Sequence, residues 1–237
     1  MGNHSNVFIF DSKFCYKLKM NPETIDLPLS NLVKKPDELD IKSPAIFFLH
    51  GYGSNMYDLF QLSHFFPDKW AYISLQAPIP VTYNGWSWFD LNPINIFELL
   101  DPQQIIDSQK KIELSIDICL EKLKIDADNI FLLGFSQGAS LTFYTGLKSP
   151  KKYKGIVSLC GWFSDKYFLD QFDHKNLDKL KIFIGNGIQD QRINIDMARD
   201  SVKNLSSLGT KPHYKEYDCD HTIPNECLVD ILEWIKK

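Results

Sequence analysis

The chain reads as a single α/β domain, residues 1–237, with a mostly parallel central sheet, helices on both of its faces and an antiparallel edge near the N-terminus. Three observations carry that reading. Short, continuous apolar runs alternate with longer stretches of three- and four-residue hydrophobic period, which is the pattern of strands joined by helical crossovers. Runs apolar at every position fit strands buried on both faces rather than strands with one wet side. At 237 residues and 44% hydrophobic content the chain can bury one large core, and no repeat, low-complexity tract or linker divides it.

The elements follow in order. Residues 1–40 form an N-terminal extension in which two β-prone runs, Phe14–Leu18 and Leu27–Val33, sit among turn signals at Asn21-Pro22 and Lys35-Pro36. They predict an antiparallel hairpin at the sheet edge. Ala45–Leu49 is a buried strand that runs into His50-Gly51-Tyr52-Gly53, followed by a helix from about Tyr57 to Phe66 that Pro67 closes. Trp70–Leu75 is the next strand. The segment from Gln76 to Pro102 is irregular and aromatic, holding Tyr83, Trp86, Trp88 and Phe89, and a loop of that length in a compact domain is usually functional.

Residues 103–125 repeat Ile105, Gln109, Ile112, Ile116, Cys119 and Leu123 along one helical face, with Asp101 as N-cap and Pro102 in the first turn. A strand through Ile130 leads into a helix over Gln137–Leu147. Strands Gly155–Leu159, Lys181–Ile184 and His213–Tyr217 then alternate with helices Ile195–Leu208, which Gly209 stops, and Asn225–Lys237.

Composition narrows the function. A formal charge of -4 leaves no basic footprint for nucleic acid; the pairs Lys34-Lys35 and Lys151-Lys152 read as solvated surface. No apolar run reaches the ~20 residues that span a bilayer, and Asp11 and Lys13 interrupt the only early apolar stretch, Val7–Phe10. A cytoplasmic protein without membrane insertion is expected. Five scattered cysteines fit reduced thiols better than a disulfide framework. Cys219, His221 and Cys227 lack the C-x-x-C spacing of a zinc site, so neither metal nor cofactor is expected.

The chemistry centres on Gly134-Phe135-Ser136-Gln137-Gly138. G-x-S-x-G between a strand and a helix is a nucleophile elbow: the serine is lifted from the sheet on a strained turn, and the glycines are there because the turn leaves no room for side chains. Ligand sites in open α/β sheets lie beyond the carboxyl ends of the strands. Asp190 follows the Lys181 strand and His221 follows the His213 strand, so Ser136, Asp190 and His221 stand in the chain order of an α/β-hydrolase triad. A hydroxyl needs a neutral imidazole to take its proton, and that imidazole needs a carboxylate to hold its tautomer. Asp165, Asp196, Asp218 and Asp220 compete for the carboxylate role; Asp218 and Asp220 lie too near His221 in sequence, and Asp196 is expected to cap the next helix. His64, His174 and His213 read as structural. The backbone N–H groups of Gln137 and Tyr52 are the candidate oxyanion donors, and Trp86, Trp88 and Phe89 the candidate substrate-binding aromatics.

With these blocks in place, Leu49–Asn55 with Asp58, Trp86–Asp90, Gly134–Ala139, and Gly187–Asp190 followed by His221-Thr222-Ile223, the chain resembles the phospholipase/carboxylesterase family of α/β-hydrolases, which includes the acyl-protein thioesterases. The resemblance spans residues 45 to 237. It implies the triad and oxyanion donors just named, no cofactor, and hydrolysis of small-molecule carboxylic esters or thioesters. Small or medium acyl esters are the leading expectation, acyl-protein thioesterase or lysophospholipase chemistry the nearest alternative, and a non-catalytic binding protein on the same fold the distant one. Family members that dimerise leave a homodimer open.

Overall fold

The computed structural model describes residues 22–36, 42–81, 84–95, 97–164 and 166–237. Nine strands and five α-helices are described: β1 (Asn31–Lys34), β2 (Ser43–Leu49), α1 (Met56–Phe60), β3 (Ala71–Leu75), β4 (Ile79–Val81), β5 (Gly85–Ser87), α2 (Pro102–Lys122), β6 (Ile125–Phe135), α3 (Gln137–Lys148), β7 (Gly155–Leu159), β8 (Lys181–Gly187), α4 (Ile195–Ser207), β9 (His213–Tyr217) and α5 (Asn225–Ile235). Seven strands form one sheet in the order β1-β3-β2-β6-β7-β8-β9, and β4 pairs with β5 apart from it. Within the large sheet only β1 is antiparallel to its neighbour; β2, β3, β6, β7, β8 and β9 are parallel.

The two-residue period of β2 assigns its faces. Phe47 and Leu49 point into one core layer with Ile112 and Ile116 of α2, Leu141 and Phe143 of α3, and Leu205 of α4. Ile46 and Phe48 point into the other, with Leu59 of α1 and Leu228 and Ile231 of α5. Helices thus cover both faces, and all four of these β2 side chains are at most 1% exposed. Burial of each contributes roughly 2–3 kcal/mol.

Several element boundaries differ from expectation, each for a local reason. The Phe14–Leu18 run, Tyr83, Cys15 and Asp165 lie outside the described residues. The Leu27–Val33 run contributes only Asn31–Lys34 to the sheet, and its partner is β3 rather than an adjacent hairpin strand. The helix expected through Phe66 is α1 followed by a tighter turn over Gln61–His64. The irregular segment contains the β4/β5 hairpin. β6 starts five residues before Ile130, with a register shift against β2 between Ser43 and Ala45. The cap of α4 is Asn194, whose side chain accepts the Met197 N–H; Asp196 lies within the first turn. Asp101 caps α2 as expected, accepting the Gln103 N–H at 2.9 Å.

Candidate active site

Ser136 sits between the end of β6 and the start of α3 with φ 54° and ψ -117°, a backbone conformation that costs a non-glycine residue about 1–3 kcal/mol. Its own N–H donates to Leu159 O of β7 at 2.9 Å, so the neighbouring strand holds the turn. The flanking glycines are needed for contact. A Cβ on Gly134 would lie 2.3 Å from Gly138 O, and a Cβ on Gly138 would lie 2.1 Å from Leu49 O.

The loops after β8 and β9 are fastened to each other. Ile188 N–H donates to Tyr217 O and Gln189 N–H to Cys219 O, at 2.8 and 2.9 Å, and Gly187 has no room for a side chain, since a Cβ would lie 2.3 Å from Asp220 O. This close approach sets His221 against Asp190. His221 Nδ1 and Asp190 Oδ2 are 2.6 Å apart, and His221 Nε2 is 2.9 Å from Ser136 Oγ. With the carboxylate as acceptor, the imidazole carries its proton on Nδ1 and presents a bare Nε2 to the serine hydroxyl. Asp190 is 3% exposed, and burial alone would raise its pKa. The bonds from His221 and from the Arg192 and Ile193 N–H groups outweigh burial and hold the carboxyl below its ordinary range. The competing aspartates are elsewhere: Asp218 accepts from Gln189 Nε2 and Asp196 pairs with Arg199.

The loop after β2 reaches the same place. A Cβ on Gly51 would stand 3.3 Å from Ser136 Cβ, and the next residue, Tyr52, lines the pocket with Ser136 and Gln137. Among the described residues neither the Tyr52 nor the Gln137 backbone N–H has a hydrogen-bond partner.

His50 holds that loop, a role its sequence context did not reveal. It is fully buried. Nε2 accepts from the Ala77 N–H at 3.1 Å, which leaves the proton on Nδ1 to donate to Gly51 O at 2.8 Å. Burial keeps the ring neutral, lowering its pKa to about 4. Its carbonyl accepts the Trp88 indole N–H at 2.8 Å.

The aromatics of the irregular segment divide. Phe89 lines the pocket beside Ser136, while Trp86 and Trp88 do not. Trp88 is fully buried behind that wall, and the Trp86 backbone bonds Gly53 and Ser54, bracing the loop after β2. The Gln137 side chain also belongs to this brace: Oε1 accepts the Trp88 N–H at 2.9 Å and Nε2 donates to Phe89 O at 2.7 Å.

The pocket is partly open to solvent. Beyond Phe89, its walls come from residues the sequence pattern left unmarked: Leu91, Phe97 and Leu99 before α2, and Trp162, Phe163 and Phe168 after β7. These lie in irregular segments where no periodicity points inward.

Cys160, Asp190 and His221 bring one donor atom each within 4.8 Å of one another. They do not fit a metal: Asp190 and His221 are spent on each other, and burial holds the Cys160 thiol protonated, far above its ordinary range. Cys219 and Cys227 contribute no donor to this group. The described cysteines, Cys119, Cys160, Cys219 and Cys227, are free thiols.

Comparison with known proteins identifies the family. The model of the phospholipase/carboxylesterase family matches residues 33–237. Acyl-protein thioesterase 1 of Candida albicans is 30% identical over 217 residues, covering 81% of this chain and 90% of that protein. Carboxylesterase SOBER1 of Arabidopsis thaliana is 28% identical over 207 residues, 81% and 89% of the two chains. Among solved structures, a carboxylesterase from Mesorhizobium loti superimposes with a TM-score of 0.77 over 92% of this chain and 99% of that one; at 18% identity this likeness speaks to the fold. A strained serine on an elbow and a family match over most of the chain lead to one conclusion: the chain belongs to the phospholipase/carboxylesterase family of α/β-hydrolases.

Proposed function

We propose that this protein is a serine carboxylic ester hydrolase for small or medium acyl esters, acting through Ser136, His221 and Asp190 as one domain and without a cofactor. The observation that carries the proposal is the continuous hydrogen-bonded line from Ser136 Oγ through His221 to Asp190, at 2.9 and 2.6 Å.

The steps follow from the groups present. Ser136 Oγ attacks the acyl carbonyl carbon as His221 Nε2 takes its proton, and Asp190 stabilises the imidazolium that results. Negative charge gathers on the carbonyl oxygen, and the Tyr52 and Gln137 N–H groups are the donors positioned for it. Losing one such donor costs about 3–4 kcal/mol of barrier in comparable sites. His221 then returns the proton to the departing alkoxide, leaving an acyl group on Ser136. Water enters, His221 takes a proton from it, and the acid leaves as Ser136 is restored.

A thioester passes through the same steps with a thiolate as leaving group, and the likeness to an acyl-protein thioesterase at 30% identity keeps it as a second reading. Net charge of -4 supports a partner other than nucleic acid. Among the described residues no helix is long and apolar enough to cross a membrane, and the free thiols support a cytoplasmic setting. The test is hydrolysis of matched oxygen and sulfur esters by wild type and Ser136→Ala. Activity on either that disappears in the variant supports the hydrolase. A folded wild type that is inactive on both sinks it.

A further inference from the structure

The apolar pocket beside Ser136 runs along one face of α3. Ser136, Ser140 and Tyr144 all line it. They recur every fourth residue from the cap of α3 onward, and residues so spaced lie one above another on a single helix face. At 1.5 Å per residue, the α3 axis rises about 12 Å between Ser136 and Tyr144.

Tyr144 is the last α3 residue along the lining, and its ring is held from several sides. Its hydroxyl donates to Gln171 Oε1 at 2.8 Å. Phe168 packs against the ring with centroids 4.6 Å apart, and Phe172 stands at 6.2 Å. One turn further along the same face is Lys148, which is outside the pocket lining. Its Nζ stands 5.6 Å from the centre of the Tyr144 ring and donates to Gln109 Oε1 at 3.1 Å. An alkyl chain driven past Tyr144 would therefore have to displace a packed, hydrogen-bonded ring. It would then press against an ammonium group, removing water from a charge that gains nothing in return.

We propose that Tyr144 is a specificity-determining residue that limits the acyl group to about ten carbons, because C–C bonds of about 1.5 Å advance about 1.25 Å each along an extended chain. The proposal rests on the ester-hydrolase reading of Ser136. It assigns long-chain acyl groups, palmitoyl included, to the rejected substrates, and so separates the medium-chain esterase from a long-chain thioesterase on this chain's own residues.

The test is kcat/KM for 4-methylumbelliferyl esters from acetyl to palmitoyl, each below its micellar concentration, on wild type, Tyr144→Ala and Tyr144→Phe. Wild-type rates should peak at decanoyl or shorter and fall on the order of tenfold or more by palmitoyl. Tyr144→Ala should raise the palmitoyl-to-octanoyl ratio by a similar factor, whereas Tyr144→Phe, which keeps the ring, should retain the cutoff. The rate of Ser136 labelling in wild type by alkyl fluorophosphonates, butyl through hexadecyl, reads the same limit without any variant and should drop beyond decyl. A wild type that handles palmitoyl and decanoyl equally overturns the limit. So does a folded Tyr144→Ala with an unchanged chain-length profile. In both cases Ser136 chemistry stands. A wild type that neither labels nor hydrolyses any ester overturns the hydrolase reading and the limit with it.

Discussion

Gly138 lies so close to Leu49 that a Cβ on the glycine would be 2.1 Å from the Leu49 carbonyl oxygen. This contact presses the first turn of α3 onto the end of β2, and it is the reason Ser136 and the loop after β2 occupy one site. Backbone cannot yield as a flexible side chain can. Gly138→Ala should destabilise the fold by about 3 kcal/mol or more, at or beyond the upper end of ordinary overpacking. Urea denaturation measures it, and a loss under about 1 kcal/mol would show that the turn relaxes.

Asp190 and Asp218 should separate cleanly. Asp190→Asn leaves a near-isosteric group but lets His221 take the wrong tautomer, so kcat should fall roughly 10³–10⁴-fold with little change in stability. Asp218 is exposed and bonds Gln189 Nε2, so Asp218→Asn should stay within about threefold of wild type. Steady-state kinetics on one ester decide, and equal losses would reassign the carboxylate.

The Gln137 side chain can be parted from its backbone. Truncation to Ala keeps the N–H proposed for the oxyanion but leaves the Trp88 N–H unpaired in a buried setting, while Phe89 O retains the Ser87 hydroxyl as a donor. One such group predicts a stability loss of about 1–3 kcal/mol. The expected kinetic signature is a raised KM, because Phe89 forms the pocket wall. Thermal melts and kinetics on the same preparation test both halves.

Two groups near the loop after β2, buried His50 and half-buried Asp58, oppose each other in acid. Burial raises the Asp58 pKa to about 6 from 3.8, against the pull of the Ser54 hydroxyl. It binds its proton better folded, so its contribution is complete below pH 3.8 and is lost as pH rises through about 6. His50, lowered to about 4 from 6.5, contributes fully above pH 6.5 and loses that contribution as pH falls toward 4. Asp58→Asn removes only the first. Between about pH 7 and about pH 4 the variant should lose about 3 kcal/mol more stability than wild type, from two units at about 1.4 kcal/mol each. Parallel urea titrations at both ends of that window would show the difference, and parallel pH profiles would refute it.

Much of this site was legible because its chemistry sits where strands end. Ser136 and Asp190 each follow a buried apolar strand, the most readable element a sequence contains, whereas His221 follows the more polar and partly exposed His213–Tyr217 strand and was placed by its order in the chain. His50 escaped because nothing local tells a structural histidine from a functional one; its partners, Ala77 and Trp88, are distant in sequence and adjacent only in the fold. Trp88 read as a loop aromatic for the same reason. The β4/β5 hairpin was missed because three-residue strands with Pro80 at the centre of one carry no period. Tyr144 carried no mark in the sequence, because the residues that line the pocket with it, Trp162, Phe163, Phe168 and Phe172, lie in an irregular stretch after β7.

The most direct test of the whole account is to react the protein with a fluorophosphonate and map the adduct by peptide mass spectrometry. The account predicts a single adduct on Ser136, formed at a rate that drops by several orders of magnitude in His221→Ala. An adduct on another residue, or equal labelling with and without His221, would contradict it.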